Sequence, residues 1–332
     1  MKLPKIAITM GDPSGIGPEI IIGAYNNGLN NLNCIPIVIG QKDYLYSSSI
    51  IKKYKINVET IKSPDEVNAI DNNVIYCIDI NIASEDVEYG VNSIHGGEFS
   101  YQCVKKAVDF ALKKQVSAIC TGPISKISLH KAGYTYPGHT EMLADLTNSK
   151  EVSLMLMTPI LNVAHVTAHM GLIDAIENID DGLVFRTIQR SKKLIQKIIK
   201  KEPAIGVCAI NPHAGENKAF GRGEEEIKIT PAIKKCLELG WNVKGPLAAD
   251  ALFYSASKGS FDLIIAMYHD QGHGPVKVLG IEHGVNVTIG LPIIRTSVDH
   301  GTAFDIAGKG IADETNLLNA IKKAVLLIDK VT

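Results

Sequence analysis

The sequence predicts an α/β protein with three layers, α/β/α, around a largely parallel sheet. Short apolar runs alternate with amphipathic helical segments along the whole chain, which is typical of βαβ units. Polar motifs follow directly after several apolar runs, at the strand ends where open α/β sheets build their sites. The length of 332 residues suffices for two domains that flank a cleft.

The apolar runs predict the strands. In chain order the predicted strands are 5–10, 35–39, 73–78, 118–120, 152–157, 163–167, 204–210, 263–267 and 285–289. Residues 101–112 and 183–199 carry apolar side chains on one helical face, which predicts two amphipathic helices. No repeat or long linker interrupts this alternation, so any domain boundary falls inside it.

Composition excludes several function classes. The net charge of −1 provides no general attraction for nucleic acid or an acidic membrane, so we expect neither as a partner. The six cysteines are widely spaced without a CxxC pair, which is typical of reduced packing residues in a cytosolic protein. The N-terminal MKLPKIAITMGDP predicts a strand instead of a signal peptide, and no apolar stretch reaches membrane-spanning length. We therefore expect a cytoplasmic location.

The first motif is MGDPSGIGPEI, residues 10–20. Gly15 and Gly17 permit a tight turn between a strand and a helix, and Pro18 suits the first helical turn. The glycine spacing differs from that of the dinucleotide fingerprint and of the P-loop. The motif is therefore either a plain βα turn or a turn that delivers Asp12 to a cleft.

The second motif is YPGHTE, residues 136–141. Pro137 and Gly138 break the chain, and a helix is predicted to follow. A loop that enters a helix N-terminus with His139 and Thr140 is typical of a phosphate site. The alternative is that Thr140 only caps the helix and His139 is a surface residue.

Histidines recur just past predicted strands. His169, His213 and His269 each occupy this position, which favours a divalent metal site at the sheet edge. Asp250 and Asp270 are candidate further ligands or hydrogen-bond acceptors for these histidines. Alternatively each histidine is a packed residue and Asp250 is a helix N-cap. The acidic run 224–226 is predicted to be a solvated helix start.

The stretch 264–310 concentrates candidate chemistry. Lys277 and Arg295 supply positive charge and N–H donors for a phosphate or carboxylate, and Asn286 adds a neutral hydrogen bond. The turn His300-Gly301-Thr302-Ala303 precedes a predicted helical pattern, whose N-terminal N–H groups could receive an anion. This stretch predicts a site for a phosphorylated or carboxylated ligand.

Together these motifs, with NPHAGE, YHDQG and GVNVTIGLPIIRTSVDHGTA, resemble the 4-hydroxythreonine-4-phosphate dehydrogenase (PdxA) family, nearly end to end and in consistent order. The stretch HGTAFDIAGKGIAD resembles the adenosine-binding loop of isopropylmalate dehydrogenases. The resemblance implies an isocitrate/isopropylmalate dehydrogenase-like fold. We divide the chain into a nucleotide-side domain, 1–135 with 265–332, and a dimerisation and metal-site domain, 136–264.

The resemblance also implies roles for individual residues. The metal ligands are His169, His213 and His269, in a site built by both subunits of a homodimer. The substrate contacts are His139, Thr140, Lys277, Asn286 and Arg295. The NAD contacts are His300, Gly301, Thr302, Ala303 and Asp305. A carboxylate at Asp305 would repel a 2′-phosphate, which favours NAD over NADP. The metal is zinc, or else magnesium, manganese or cobalt.

The implied reaction oxidises a secondary alcohol with NAD and then removes CO2 from the β-keto acid, with the metal stabilising the developing negative charge. Asp250, Asp270 and Lys277 are the candidates for moving protons. The substrate is 4-phosphohydroxy-L-threonine, which gives 3-amino-2-oxopropyl phosphate. The alternative is 4-phospho-D-threonate or 4-phospho-D-erythronate, which gives dihydroxyacetone phosphate. HGPVK after YHDQG resembles this second branch, where His273 either reads the substrate hydroxyl or is a loop variant without contact.

Two other classes remain as alternatives. A metal-dependent phosphohydrolase would also use histidines, carboxylates and a phosphate site, but it needs no nucleotide loop. A non-catalytic protein that binds small molecules would have no reason to hold a metal.

Overall fold

The computed structural model describes residues 3–48, 54, 56–80, 82, 87–279 and 284–331. The chain divides into two compact units. Met1–Lys150 and Leu291–Lys330 form the first unit, and Glu151–Gly290 forms the second.

The first unit contains a parallel sheet. Its strands are β1 (Lys5–Thr9), β2 (Ile35–Gly40), β3 (Asn57–Thr60), β4 (Val74–Asp79), β5 (Ala118–Thr121) and β12 (Arg295–Ser297). The strand order is β3-β4-β2-β1-β5-β12, and every pairing is parallel. The helices are α1 (Gly17–Asn26), α2 (Lys42–Ser47), α3 (Ile94–Leu112), α4 (Lys126–Lys131), α5 (His139–Leu146) and α11 (Thr315–Val331).

Burial on both faces explains the apolar runs of this sheet. Every residue of β1 and β2 is buried, as expected for parallel strands covered by helices. Helix α3 packs against β1, β2 and β5. It buries Phe99, Cys103 and Val104. Ser93 is its N-cap, because the Ser93 hydroxyl accepts a hydrogen bond from the Gly96 N–H.

The second unit contains a mixed sheet. Its strands are β6 (Ser153–Met157), β7 (Asn162–His165), β8 (Ile205–Cys208), β9 (Val243–Leu247), β10 (Leu263–Ala266) and β11 (Val285–Ile289), in the order β11-β6-β7-β10-β8-β9. The β11-β6 and β6-β7 pairings are antiparallel and the others are parallel. The helices are α6 (Leu172–Asn178), α7 (Asp181–Ile199), α8 (Thr230–Glu238), α9 (Ala249–Ser257) and α10 (His269–Val278).

The core of the second unit lies between this sheet and its helices. Leu156, Val163 and Ile264 pack with Leu252 and Phe253 of α9. Helix α7 contacts β6, β7, β10 and β11 and is capped by Asp180, whose carboxylate accepts the Leu183 N–H.

The α/β class is confirmed, and each predicted strand is present within two residues at either end. Strands β3, β9 and β12 were not predicted. The first is mostly exposed, the second contains Gly245 and Pro246, and the third is three residues long and holds an arginine. None of these has the apolar run by which a strand is recognised.

The observed units divide the chain at other residues than the predicted domain boundaries. Residues 265–290 belong to the second unit, because β10 pairs with β7 and β8 and β11 pairs with β6. The six cysteines are free and buried, which confirms their packing role. In the described parts of the chain, no helix is long and apolar enough to cross a membrane.

Candidate active site

The second unit brings two of the predicted metal ligands together. Strands β7 and β10 are parallel neighbours, with His165 opposite Ala266, so the segments that leave them emerge at the same sheet edge. His169 lies in the segment after β7, and His269 is the first residue of α10. Their ring centroids are 6.2 Å apart.

The carboxylate of Asp270 orients the His269 ring. His269 Nδ1 lies 2.6 Å from Asp270 Oδ1, and this contact lowers the pKa of the aspartate. With Nδ1 donating to the carboxylate, Nε2 carries the lone pair. This arrangement of carboxylate and histidine is the one that prepares an imidazole for metal binding.

Two further histidines lie behind His269. The His273 ring stacks on the His269 ring, with centroids 3.7 Å apart and an interplanar angle of 12°. His273 Nδ1 is 3.1 Å from His165 Nε2 and 3.2 Å from the His269 carbonyl oxygen. His165 Nδ1 is 3.3 Å from the Leu154 carbonyl oxygen. Both rings therefore carry their proton on Nδ1 and are neutral.

His165 is buried within this stack. His273 was a candidate for contact with the substrate. Its side chain is also buried, and its Nδ1 is engaged inside the protein. The sequence did not indicate the role that His273 has in this stack. Its ring packs face to face against the ring of His269 and helps to hold that ring in place.

We expect acid to weaken folding through His165. Burial lowers its pKa from 6.5 to about 3, so between these values the unfolded chain binds the extra proton and the folded chain does not. The free energy of unfolding should therefore fall as pH falls below 6.5. At pH 5 the loss from this residue is about 2 kcal/mol. Denaturant unfolding at pH 7 and pH 5 measures it.

The matched variant for this measurement is His165→Gln, which keeps one donor and one acceptor but does not titrate. Its loss of stability between the two pH values should be smaller than that of the wild type by about 2 kcal/mol. Equal losses in the two proteins would contradict the assignment.

His213 lies apart from the other two predicted ligands in the single chain. It belongs to the segment Pro212–Lys218, is exposed, and has Nδ1 3.4 Å from Glu216 Oε2. Its φ of 53° and those of the residues that follow are in the left-handed region, which costs roughly 1–2 kcal/mol per residue other than glycine. Among the described residues, no three His, Cys, Asp or Glu side chains are grouped closely enough to hold a metal.

Glu225 binds the backbone of the segment that leads to His213, and the sequence did not indicate this role. The acidic run 224–226 was predicted to be solvated, which is wrong for Glu225, since this residue is 2% exposed. Its carboxylate accepts the N–H groups of Ile210 and Asn211, at 3.0 and 2.7 Å, and the Asn211 side-chain amide at 3.0 Å. The π-helical turn Glu225–Ile229 sets this orientation, and three consecutive glutamates give no signal for it.

The three candidates for proton transfer occupy different surroundings. Asp270 pairs with His269. Lys277 is exposed in the last turn of α10. Asp250 is exposed in the first turn of α9. It is not the N-cap, which is Ala248.

The predicted substrate contact Asn286 lies half-buried in β11, and its side-chain oxygen is buried.

In the first unit, Arg295 is a buried cation at the start of β12. It is 2% exposed, and its Nε and Nη2 donate to Thr121 Oγ1 at 3.2 and 2.6 Å. Burial lowers its pKa to about 10, whereas Cys120 and Glu141 act in the opposite direction, so the guanidinium remains charged at pH 7. A buried arginine beside a hydroxyl is suited to an anionic ligand.

Helix α5 carries Glu141 in its first turn. His139 and Thr140 are its first residues, and Thr140 is buried. The alternative in which Thr140 only caps the helix is wrong, because Gly138 is the N-cap and no side chain caps the helix.

The segment 300–305 is an irregular loop. The predicted helix directly after it is absent, since residues 304–310 form turns and α11 begins at Thr315. His300 Nδ1 lies 2.9 Å from the Gly301 carbonyl oxygen, and its buried Nε2 has no hydrogen-bond partner among the described residues. Asp305 is exposed. Ala303 has a φ of 43°, and Gly301 and Thr302 complete the loop.

Known proteins resemble the chain along its whole length. A D-threonate 4-phosphate dehydrogenase from Cupriavidus necator is 50% identical over 325 residues, which is 98% of this chain and 97% of the relative. The crystal structure of a 4-hydroxythreonine-4-phosphate dehydrogenase from Burkholderia phymatum is also 50% identical. It matches with a TM-score of 0.84 and covers 98% of this chain and 99% of its own.

A more distant structure shows the fold alone. A β-decarboxylating dehydrogenase from Thermococcus kodakarensis is 12% identical, with a TM-score of 0.51 over 96% of this chain and 82% of its own. It supports the predicted α/β fold. The close relatives are named dehydrogenases, and this chain is an oxidoreductase of that kind. The family described as Pyridoxal phosphate biosynthetic protein PdxA matches residues 32–324, and the chain belongs to this PdxA family.

Proposed function

We propose that the protein catalyses the NAD-dependent and divalent-metal-dependent oxidation and decarboxylation of a 4-phosphorylated 3-hydroxy acid. The observation that carries the proposal is the group of His169, His269 and Asp270, in which a carboxylate prepares one imidazole next to another. The hydrolase and the non-catalytic alternatives would not explain a chain that is 50% identical to a named dehydrogenase.

The substrate has two candidates. We place D-threonate 4-phosphate first, because the Cupriavidus relative at 50% identity is named for it. We place 4-phosphohydroxy-L-threonine second, since the Burkholderia structure at the same identity is named for that activity. The first would give dihydroxyacetone phosphate and the second 3-amino-2-oxopropyl phosphate, each with CO2. His273 gives no support to either, because it is buried and its Nδ1 faces His165.

The residues of one chain fit part of a metal shell. His169 and His269 would hold a divalent ion, and the third proposed ligand, His213, would come from a second copy in a homodimer, because it lies apart from them in the single chain. A bound divalent ion would stabilise negative charge on the substrate oxygens, and NAD would accept the hydride.

The chain's own residues would bind and orient the substrate. Arg295, His139 and Thr140 are the proposed anion contacts of the first unit, because Arg295 supplies a buried guanidinium and the other two residues begin α5. Lys277 and Asn286 are the proposed contacts of the second unit. Of the groups that could move protons, Asp270 is preferred, because its carboxylate pairs with His269. Lys277 and Asp250 are the other candidates.

NAD would bind along residues 300–305. The exposed carboxylate of Asp305 would accept hydrogen bonds from the ribose hydroxyls, which disfavours a 2′-phosphate. The buried Nε2 of His300 provides an acceptor at the other end of the loop. We therefore expect NAD, and not NADP, to be the oxidant.

An assay of NADH formation with three substrates tests the proposal. D-Threonate 4-phosphate, D-erythronate 4-phosphate and 4-phosphohydroxy-L-threonine are compared with NAD and NADP, before and after chelation. We expect NADH from D-threonate 4-phosphate, a loss of at least about tenfold with NADP because of the charge at Asp305, and no activity after chelation. Release of inorganic phosphate without NADH from any of them would instead establish a hydrolase.

A further inference from the structure

The first sequence motif, residues 10–20, lies against the proposed nucleotide loop. The Ile16 N–H donates to the Thr302 carbonyl oxygen at 3.0 Å. A Cβ atom on Gly15 would lie 2.8 Å from that oxygen and 3.0 Å from the Thr302 Cβ. Glycine is therefore required for the turn to approach the loop this closely. The turn is neither a plain connection nor a means of exposing Asp12, which is completely buried.

Glu19 fixes the far side of the same loop. It lies in the first turn of α1 and is 2% exposed. Its Oε1 accepts the Gly308 N–H at 2.5 Å, and its Oε2 accepts the Gly310 N–H at 3.0 Å. These bonds join Glu19 of α1 to Gly308 and Gly310, which lie 289 and 291 positions further along the chain. Because the carboxylate is buried, loss of either oxygen would leave a backbone N–H without its acceptor.

The segment that carries the proposed nucleotide contacts is thus fixed at both ends. Thr302 is bonded to Ile16, and Gly308 and Gly310 are bonded to Glu19. Further along, the Asn27 side chain donates to the Glu314 carboxylate. Between the first two attachments the exposed Asp305 projects from a stretch of turns that has no helix or strand of its own.

We infer that Glu19 is a positioning residue for the dinucleotide, which holds the loop from Thr302 to Gly310 in its binding conformation. The inference rests on the proposed NAD site. A loop held in place before binding does not lose that conformational freedom when the ligand arrives. Without Glu19 the loop would have to be ordered by NAD itself, and affinity would fall.

Glu19→Gln and Glu19→Ala test the inference. We expect each to raise the Kd for NADH, measured by fluorescence titration, and the KM for NAD by about tenfold to a hundredfold. The KM for the phosphorylated substrate and kcat at saturating NAD should stay within about threefold of the wild type, because the carboxylate of Glu19 binds the backbone of the nucleotide loop and is not one of the proposed substrate or metal contacts. Hydrogen exchange of residues 302–312 should become faster.

A second variant and a control separate positioning from general instability. Gly15→Ala acts on the other end of the loop without changing charge, and it should raise the KM for NAD as well. Asp180→Ala removes the cap of α7 in the second unit. It should lower Tm but leave the KM for NAD unchanged.

The two proposals fail in different ways. If wild-type protein neither binds NADH nor forms it, the NAD site itself is wrong. If the wild type binds NADH and both Glu19 variants bind it equally tightly, Glu19 has only a structural role and the inference is overturned. Should the Glu19 variants not fold, unchanged NADH binding by Gly15→Ala would overturn it, because the attachment of the loop would then not affect binding.

Discussion

His269→Ala is expected to lower turnover by about a thousandfold or more and to abolish stable binding of the divalent ion. The imidazole is one of the two proposed ligands that the single chain brings together. Charge stabilisation by a catalytic metal is worth several kcal/mol, and each step of about 1.4 kcal/mol changes the rate tenfold. Metal content after dialysis, together with NADH formation, measures both effects.

Asp270→Asn should weaken metal binding less than His269→Ala does, because it leaves the His269 ligand in place. The amide can no longer act as the charged acceptor of the His269 Nδ1 proton, so metal affinity should fall by about 10-fold to 100-fold. The surface residue His130 provides the control, and His130→Ala should leave the metal content unchanged. Full activity in a metal-free preparation of wild-type protein would refute the metal mechanism.

Arg295→Lys is expected to lower kcat/KM for the phosphorylated substrate by about a hundredfold or more. A lysine retains the charge but cannot reproduce the planar donors that contact Thr121 while also facing an anion. A hydrogen bond to a charged group is worth about 1.5–3 kcal/mol, so loss of the guanidinium donors accounts for an effect of this size. Steady-state kinetics against the substrate, with NAD saturating, would record the loss mainly in KM.

Thr121→Val separates the charge of Arg295 from its orientation. The variant keeps the shape and removes the hydroxyl that accepts the guanidinium, so we expect a smaller loss of about tenfold. NADH binding should be unchanged in both variants, since the two residues belong to β12 and β5 and not to the loop at 300–305. A normal substrate KM in Arg295→Lys would exclude Arg295 from the anion site.

Local sequence determined the elements. Long apolar runs produced β1, β2 and β10, and the one-sided pattern of residues 183–199 produced α7. The position of His169 and His269 after strands could also be predicted, because a buried strand must end where polar residues begin. Arg295 was predicted to contact an anion because of its residue type, and this role remains a proposal.

Contacts between distant segments were decided only by tertiary structure. The chain order does not reveal that β7 and β10 are neighbours, although this places His169 near His269. Nothing near Glu225 indicates that it binds the backbone before His213, and nothing near Glu19 indicates that it binds Gly308. Residue type and local spacing fix helices and strands, because those depend on neighbours in sequence. The partner of a buried carboxylate depends on which segments pack together, and that is settled by the whole chain.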